Sequence, residues 1–312
     1  MQTREDIPLG TQSQNLTGRN HLVVISVDRY TNGISPLNNA VSDGRAFGRY
    51  LLTNYDFSTV HYHELLDEKA SCSNVLNLFD QLIGEVQEAD NLILYFSGHG
   101  VVLPSMQRGS WLLADARAGE RSTYLANHEV IHFVQSLAAQ HVFVVVDSCF
   151  SGQMFRRTGP IQQSKLYQKK SRYLLTSGRS DEPVLDGPPG GHSPFCKALL
   201  NAFEETAEET LWVGDLCRKV LHELHDSQRD QLPRGEPIKD WGHEGGEFAF
   251  WSKNVDRAVA LSPKETLSKK TKEYQEPSNP APTKHSQVDT KGNHNITIVD
   301  TGGNVSINTD RS

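Results

Sequence analysis

Three apolar runs constrain this chain more than any other feature: His21 to Val27, Leu92-Ile93-Leu94, and Val142 to Val146. None shows the apolar–polar alternation of a strand with one wet face, so each reads as a strand buried on both faces. That is the mark of a parallel sheet covered by helices. Two of the runs lead into strings dense in small and reactive residues. The first is Tyr95-Phe96-Ser97-Gly98-His99-Gly100; the second is Asp147-Ser148-Cys149-Phe150-Ser151-Gly152. In an open parallel sheet, the carboxyl ends of the strands are where sites assemble.

Between the runs the pattern changes to helical spacing. Leu37, Val41, Phe47 and Leu51 recur on one face of a predicted helix over 37–52. A second helix carries Val75, Leu78, Phe79, Leu82, Ile83 and Val86, with Ser71, Ser73 or Asn74 as its cap. Strands are predicted near 59–66 and 111–114, and a helix near 127–139. Alternating strands and helices imply right-handed crossovers and an α/β fold, a three-layer α/β/α sandwich around a mostly parallel sheet of about six strands.

The chain then divides. Residues 1–20 form a polar lead-in, and 21–152 the first α/β block. The stretch 153–172 is a basic inter-block loop holding Arg156, Arg157, Lys165, Lys169, Lys170 and Arg172 with no acidic residue. A smaller block over 173–253 has strands predicted at 173–177 and 247–251 and helices near 194–204 and 215–226. Residues 254–294 turn to Lys, Glu, Pro, Ser and Asn, a composition that cannot offset the entropy of ordering and reads as a linker. The tail, 295–309, has alternating segments Asn295–Val299 and Asn304–Asn308 around Asp300-Thr-Gly-Gly303. That is a hairpin signal, and a lone hairpin is marginal in water, so a docking partner is expected.

A net charge of −7 does not favour nucleic acid or acidic lipid. No run approaches the roughly 20 apolar residues of a membrane span, and the polar N-terminus lacks a signal-peptide core, so a cytoplasmic location is expected. The four cysteines, Cys72, Cys149, Cys196 and Cys217, show no Cys-x-x-Cys spacing, which points to neither zinc nor a disulfide framework. Three of them read as small buried hydrophobes. Cys149 is the exception, because a histidine placed at a neighbouring strand end could serve as its acid–base partner. Read singly, His99 could be a core histidine and Cys149 an inert thiol.

Taken together, the two strings resemble those of the caspase-like cysteine peptidases, and of metacaspases within them, over about 21–251. Ser-Gly-His-Gly and Asp-Ser-Cys-x-Ser-Gly occur in order, fifty residues separate His99 from Cys149, and Thr176-Ser-Gly-Arg-Ser-Asp-Glu-Pro and the His192-Ser-Pro-Phe helix start also fit. Asp-Ser-Cys-Phe-Ser-Gly stands where animal caspases have Gln-Ala-Cys, which points to the metacaspase-like, prokaryotic branch and away from cleavage after aspartate. The resemblance implies large- and small-subunit-like blocks, a Cys149/His99 dyad, and an oxyanion hole from the amides of Gly100 and Cys149. It also implies a specificity pocket of Asp43, Ser97 and Asp147, in which two carboxylates would select Arg or Lys. Ala40 and Ser42 depart from the family's Cys-x-Asn-Asp string at this point. Asp43 could otherwise be a solvent-facing helix residue, and Asp147 a structural hydrogen-bonder.

The expected function is therefore a cysteine endopeptidase acting on protein substrates with Arg or Lys at the cut. It would work through a thioester acyl-enzyme, be held latent until triggered, and serve in a bacterial signalling or antiviral defence system. The alternative is a catalytically silent caspase-fold module recruited through its C-terminal hairpin, on which a regulatory protein would dock. Arg156, Arg157, Lys169 and Lys170 are candidate self-processing sites, or else a solvated charge run. No cofactor or metal is expected. Calcium is disfavoured because Arg156 stands where calcium-dependent members carry aspartate, although Asp115 matches another of their positions. The pairs His61/His63 and His222/His225 lack a ligand set. Asp181, Glu182 and Asp186 are expected near the cleft, and Trp241 and Trp251 in the core.

Overall fold

The computed structural model describes residues 18–103, 108–148, 167–178, 185–206, 210–227 and 233–253, with two short strands at 298–300 and 305–307. It divides into two compact units, Met1–Ser262 and Pro263–Ser312.

The first unit is built as the apolar runs predict. Strands β1 (Asn20–Ser26), β2 (Tyr62–Leu66), β3 (Asn91–Ser97), β7 (His141–Asp147) and β8 (Ser171–Thr176) are parallel in one sheet. β10 (Arg234–Pro237) adds an antiparallel edge, giving the order β10-β8-β7-β3-β1-β2. Every residue of β1, β3 and β7 is buried, as their unbroken apolar character requires.

Helices cover both faces. On one side α2 (Cys72–Glu85) and α3 (Asn127–Ser136) bury Val75, Phe79, Val130 and Phe133 against Val23, Leu94 and Val144; the Phe79 and Phe133 rings stack at 3.9 Å. On the other side α1 (Ala40–Asn54), α4 (Pro194–Glu204) and α5 (Val213–Ser227) bury Phe47, Phe195, Leu199 and Val220 against Val24, Tyr95 and Val145. Adjacent strand positions face opposite layers, so the strands are apolar throughout. The close approach of α1 depends on Gly44, where a Cβ would lie 2.2 Å from Ser26 Oγ. That contact sets Asp43 against the strand ends. No helix among the described residues is long and apolar enough to cross a membrane.

Several elements depart from expectation at their edges. Helix α1 starts three residues after Leu37, which remains in the loop behind the cap residue Asn39. Residues 59–61 form a 3₁₀ turn ahead of β2. Of the strand predicted at 111–114 only Trp111 is in one: it ends β5 (Arg108–Trp111), which pairs with β4 (Gly100–Leu103) and β6 (Leu125–Ala126) in a separate small sheet, while 112–114 leave it as loop and turn. β11 (Ala249–Trp251) pairs with β9 (Thr210–Trp212) and not with the main sheet. The sixth strand of that sheet is β10, whose Arg-Gly-Glu-Pro sequence carries no apolar pattern to announce it.

Arg172 also differs. It lies in β8 at 3% exposure, and its guanidinium donates to the carbonyls of Leu137, Ala139, Gln140 and Ser171. Four carbonyl partners are what make a buried guanidinium tolerable, so Arg172 belongs to the fold and not to the basic loop. Trp241 and Trp251 are core residues, as expected.

In the second unit, β12 (Ile298–Asp300) and β13 (Val305–Ile307) pair antiparallel, with Ile298 opposite Ile307 and Asp300 opposite Val305. Both strands fall within or beside the two alternating segments of the sequence, and the glycine turn between them lies outside the described residues.

Candidate active site

β3 and β7 lie side by side in register, with Ser97 opposite Asp147 at their carboxyl ends. The chain leaves β3 through Gly98, whose N–H donates to the Asp147 carbonyl at 3.3 Å. A Cβ at Gly98 would stand 2.9 Å from the Tyr30 hydroxyl, so glycine is what lets the backbone turn here. The same hydroxyl accepts the His99 N–H at 2.8 Å and donates to the Leu112 carbonyl at 3.2 Å. Backbone contacts thus deliver the His99 ring to the mouth of a cleft lined by Leu37, Ser97, Gly98, His99, Asp147, Ser148, Leu185, Asp186 and Ser193.

The His99 ring is fixed from the far side. Its Nε2 lies 2.9 Å from the Ser35 carbonyl oxygen. A carbonyl only accepts, so Nε2 carries the proton and the neutral ring's lone pair sits on Nδ1. A ring nitrogen left bare in this way is what a base for a thiol needs. Ser35 had no signal in the sequence, because its contribution is a backbone atom.

Asp43 and Asp147 come together as the resemblance implied, and they are joined by a residue that sequence reasoning passed over. Asp43 is fully buried; its Oδ1 accepts from His192 Nδ1 at 2.5 Å and its Oδ2 from the Ser193 N–H at 3.0 Å. Ser193 Oγ donates to Asp147 Oδ2 at 2.5 Å and accepts the Cys196 N–H at 2.9 Å, capping α4. The Ser-Pro-Phe helix start was legible as a cap; its hold on two carboxylates was not. Asp147 Oδ1, at the buried end of the cleft, makes no hydrogen bond of ordinary geometry, although Ser177 stands close.

Burial governs the electrostatics. It pushes the Asp147 carboxyl up to about 7; Ser193 opposes the shift with its hydrogen bond, and the charge of Asp43 adds to it. Burial also raises Asp43, against hydrogen bonds from Ser193 and His192. Of the four oxygens of these two carboxyl groups, Asp147 Oδ1 is the one without a hydrogen bond of ordinary geometry.

Asp43, His192 and Cys196 offer three possible metal ligand atoms within 4.8 Å of one another. Both Asp43 oxygens are already taken, and burial holds the Cys196 thiol well above its usual range, so the group serves as a hydrogen-bonded cluster. Asp115 accepts the Cys72 N–H at 2.9 Å and thereby holds the start of α2. His61 packs its ring on His21 at 4.8 Å.

Of the remaining candidates, Gly100 opens β4 opposite Trp111. Lys170 precedes the buried Ser171, and its carbonyl accepts the N–H groups of Glu244 and Gly246. Asp186 lines the cleft, as expected. Cys149 directly follows the buried Ser148 in sequence but lies outside the described residues, as do Arg156, Arg157, Lys165, Asp181 and Glu182.

A histidine held in one tautomer beside pocket carboxylates, at the carboxyl edge of a three-layer parallel sheet and next to a strand that leads into a cysteine, is the layout of a cysteine peptidase. Residues 19–237 match the caspase domain family, and the chain belongs to it. A protein of Geobacter sulfurreducens, GSU0716, shares the fold at a TM-score of 0.54 and 15% identity, over 70% of this chain and 93% of its own. Caspase-1 of Spodoptera frugiperda shares it at 0.51 and 12% identity, over 71% and 87% respectively. A search of curated proteins returned no match.

Proposed function

We propose that this chain is an endopeptidase of the metacaspase-like branch that cuts proteins after arginine or lysine. The observation that carries the reading is the cleft in which His99 and Asp147 stand together, with one oxygen of the buried Asp147 carboxyl making no hydrogen bond of ordinary geometry. A guanidinium or ammonium entering there supplies the cation that two buried carboxyl groups need, whereas an aspartate side chain would add a third negative charge.

In this reading His99 Nδ1 takes the Cys149 thiol proton, and the thiolate attacks the scissile carbonyl. The oxyanion is held by the amides of Gly100 and Cys149. His99 returns the proton to the leaving amine, a thioester forms, and water attacks it with His99 again as base, restoring the thiol. No cofactor is needed for any step. Self-processing fits Arg156-Arg157 better than Lys169-Lys170, since the Lys170 carbonyl is held by two N–H groups and the next residue is buried. The hairpin tail would bring a regulatory protein, and latency before that encounter suits a signalling or defence role in the cytoplasm.

The test compares wild type with Cys149→Ala on fluorogenic peptides that differ only in the residue before the cut. Turnover after Arg and Lys, abolished in the variant, is expected. Turnover after Asp alone would overturn the pocket assignment, and no turnover under any condition would favour a binding module or an untriggered zymogen.

A further inference from the structure

The tautomer of His99 rests on one carbonyl, that of Ser35, and this carbonyl sits on the loop between β1 and α1. At its start the loop is held by Asp67, whose Oδ1 accepts the N–H groups of Asp28 and Arg29, each at 2.9 Å. Asp67 adopts a left-handed backbone, φ 46°, to do so. Such strain in a residue with a side chain persists only where the surroundings enforce it. A bond from the Leu37 N–H to the Asp28 carbonyl at 2.9 Å then closes the loop on itself.

The far end of the loop is held from the other block of the chain. Asp186 Oδ2 accepts the Asn38 N–H at 2.6 Å and Asn38 Nδ2 at 3.0 Å, and its Oδ1 accepts the Asn39 N–H at 3.2 Å. Asn39 Nδ2 answers by donating to the carbonyls of Asp186 at 2.5 Å and Pro188 at 3.0 Å. Bonds to an ionised carboxylate are among the stronger ones available. The segment behind Asp186 continues to His192 and Ser193, the two groups that hold Asp43 and bridge to Asp147.

We propose that Asp186 is a positioning residue for catalysis. Through Asn38 and Asn39 it holds the loop so that the Ser35 carbonyl keeps the proton of His99 on Nε2, and it ties that geometry to the loop that organises the pocket. The proposal rests on the peptidase reading for its consequence in turnover, but not for its structural content. Tightening or releasing one segment, residues 185–193, thereby acts on the dyad and on the pocket together.

The experiment uses the full chain labelled with 15N-histidine, with His99→Gln to assign the His99 resonances. In wild type at pH 8 the His99 imidazole should show a protonated Nε2 and a bare Nδ1. Asp186→Asn, isosteric but offering an amide where a carboxylate stood, should mix the two tautomers and lower kcat roughly tenfold or more while changing KM less than about threefold. Asp186→Glu, which keeps the charge, should recover part of both. A wild-type tautomer with unchanged kcat in Asp186→Asn would overturn the proposal. So would a loss of kcat matched by an equal loss in Asp186→Glu with the tautomer untouched. If wild type turns over no peptide, the chain is a binding module or an untriggered zymogen, and the tautomer measurement still decides the part played by Asp186.

Discussion

A carboxyl group as buried as that of Asp147 makes stability and function pull in opposite directions. Its value of about 7 lies above the ordinary 3.8, so between those limits the folded chain holds a proton that the unfolded chain has released. The contribution of this group to stability therefore falls as pH rises from about 4 to 7, by an amount on the order of 4 kcal/mol for that shift. Asp147→Asn removes this cost. Urea unfolding at pH 8 should show the variant more stable than wild type, and at pH 4 the difference should vanish. The same substitution removes the open anion of the pocket, so kcat/KM for an arginine substrate should drop roughly a hundredfold. Wild type should lose affinity for that substrate as pH falls below 7, seen as a rise in KM that Asp147→Asn lacks. At this scale the sequence offered His99, Cys149 and Asp147 through their own side chains, and placed Asp186 near the cleft and His192-Ser193 at a helix start. It hid Ser35 and the bonding of His192, Ser193 and Asp186, whose parts consist of a carbonyl oxygen or of partners far along the chain.

At the opposite end of the sheet the strands begin with buried polar residues, and here pH acts with the other sign. His141 opens β7 and is fully buried, with Nδ1 2.7 Å from Ser171 Oγ and Nε2 3.0 Å from the Tyr167 carbonyl. Burial brings it down to about 3, helped by the nearby charge of Arg172 and opposed by the bond to Tyr167. A histidine depressed in the folded state stabilises above its unfolded value of 6.5, and that contribution is lost as pH falls toward 3. His243, brought down to about 4 by burial and by Arg172, adds to the effect. Between pH 8 and 4 the histidines and Asp147 pull the denaturant midpoint in opposite directions, so the test is the difference between chains: relative to its own value at pH 8, the midpoint of His141→Gln at pH 4 should stand higher than that of wild type. The central strands were legible because β1, β3 and β7 are continuous in apolar side chains. β10 was not, since an edge strand is defined by its neighbour β8 and needs no apolar face of its own.

The whole molecule consists of two units of very different kind. The first unit closes its own core: Phe248 and Phe250 reach the layer formed by α4 and α5, and the Asp56 N–H donates to the Trp251 carbonyl at 2.9 Å. That closure is made among residues that all precede 254. Removing 263–312 should leave the urea midpoint of the remainder within about 0.2 M of the full chain and its basal turnover unchanged. A clear loss of stability would mean that the tail is part of the folded body. Fold class and block order were readable from the runs alone, since two-sided burial admits few other architectures. The small sheets β4-β5-β6 and β9-β11 were not, because strands of two to four residues leave too little periodicity to read.

The register of Ser97 with Asp147 carries one more consequence. Strand side chains alternate, so these two share a face with Tyr95 and Val145, the face covered by the helices that bring Asp43 and Ser193. The opposite face, with Phe96 and Val146 under α2 and α3, packs and also carries Tyr30, whose hydroxyl holds the His99 N–H. The sheet thus divides the labour of the cleft: one layer places the carboxyl groups, and the other places the imidazole.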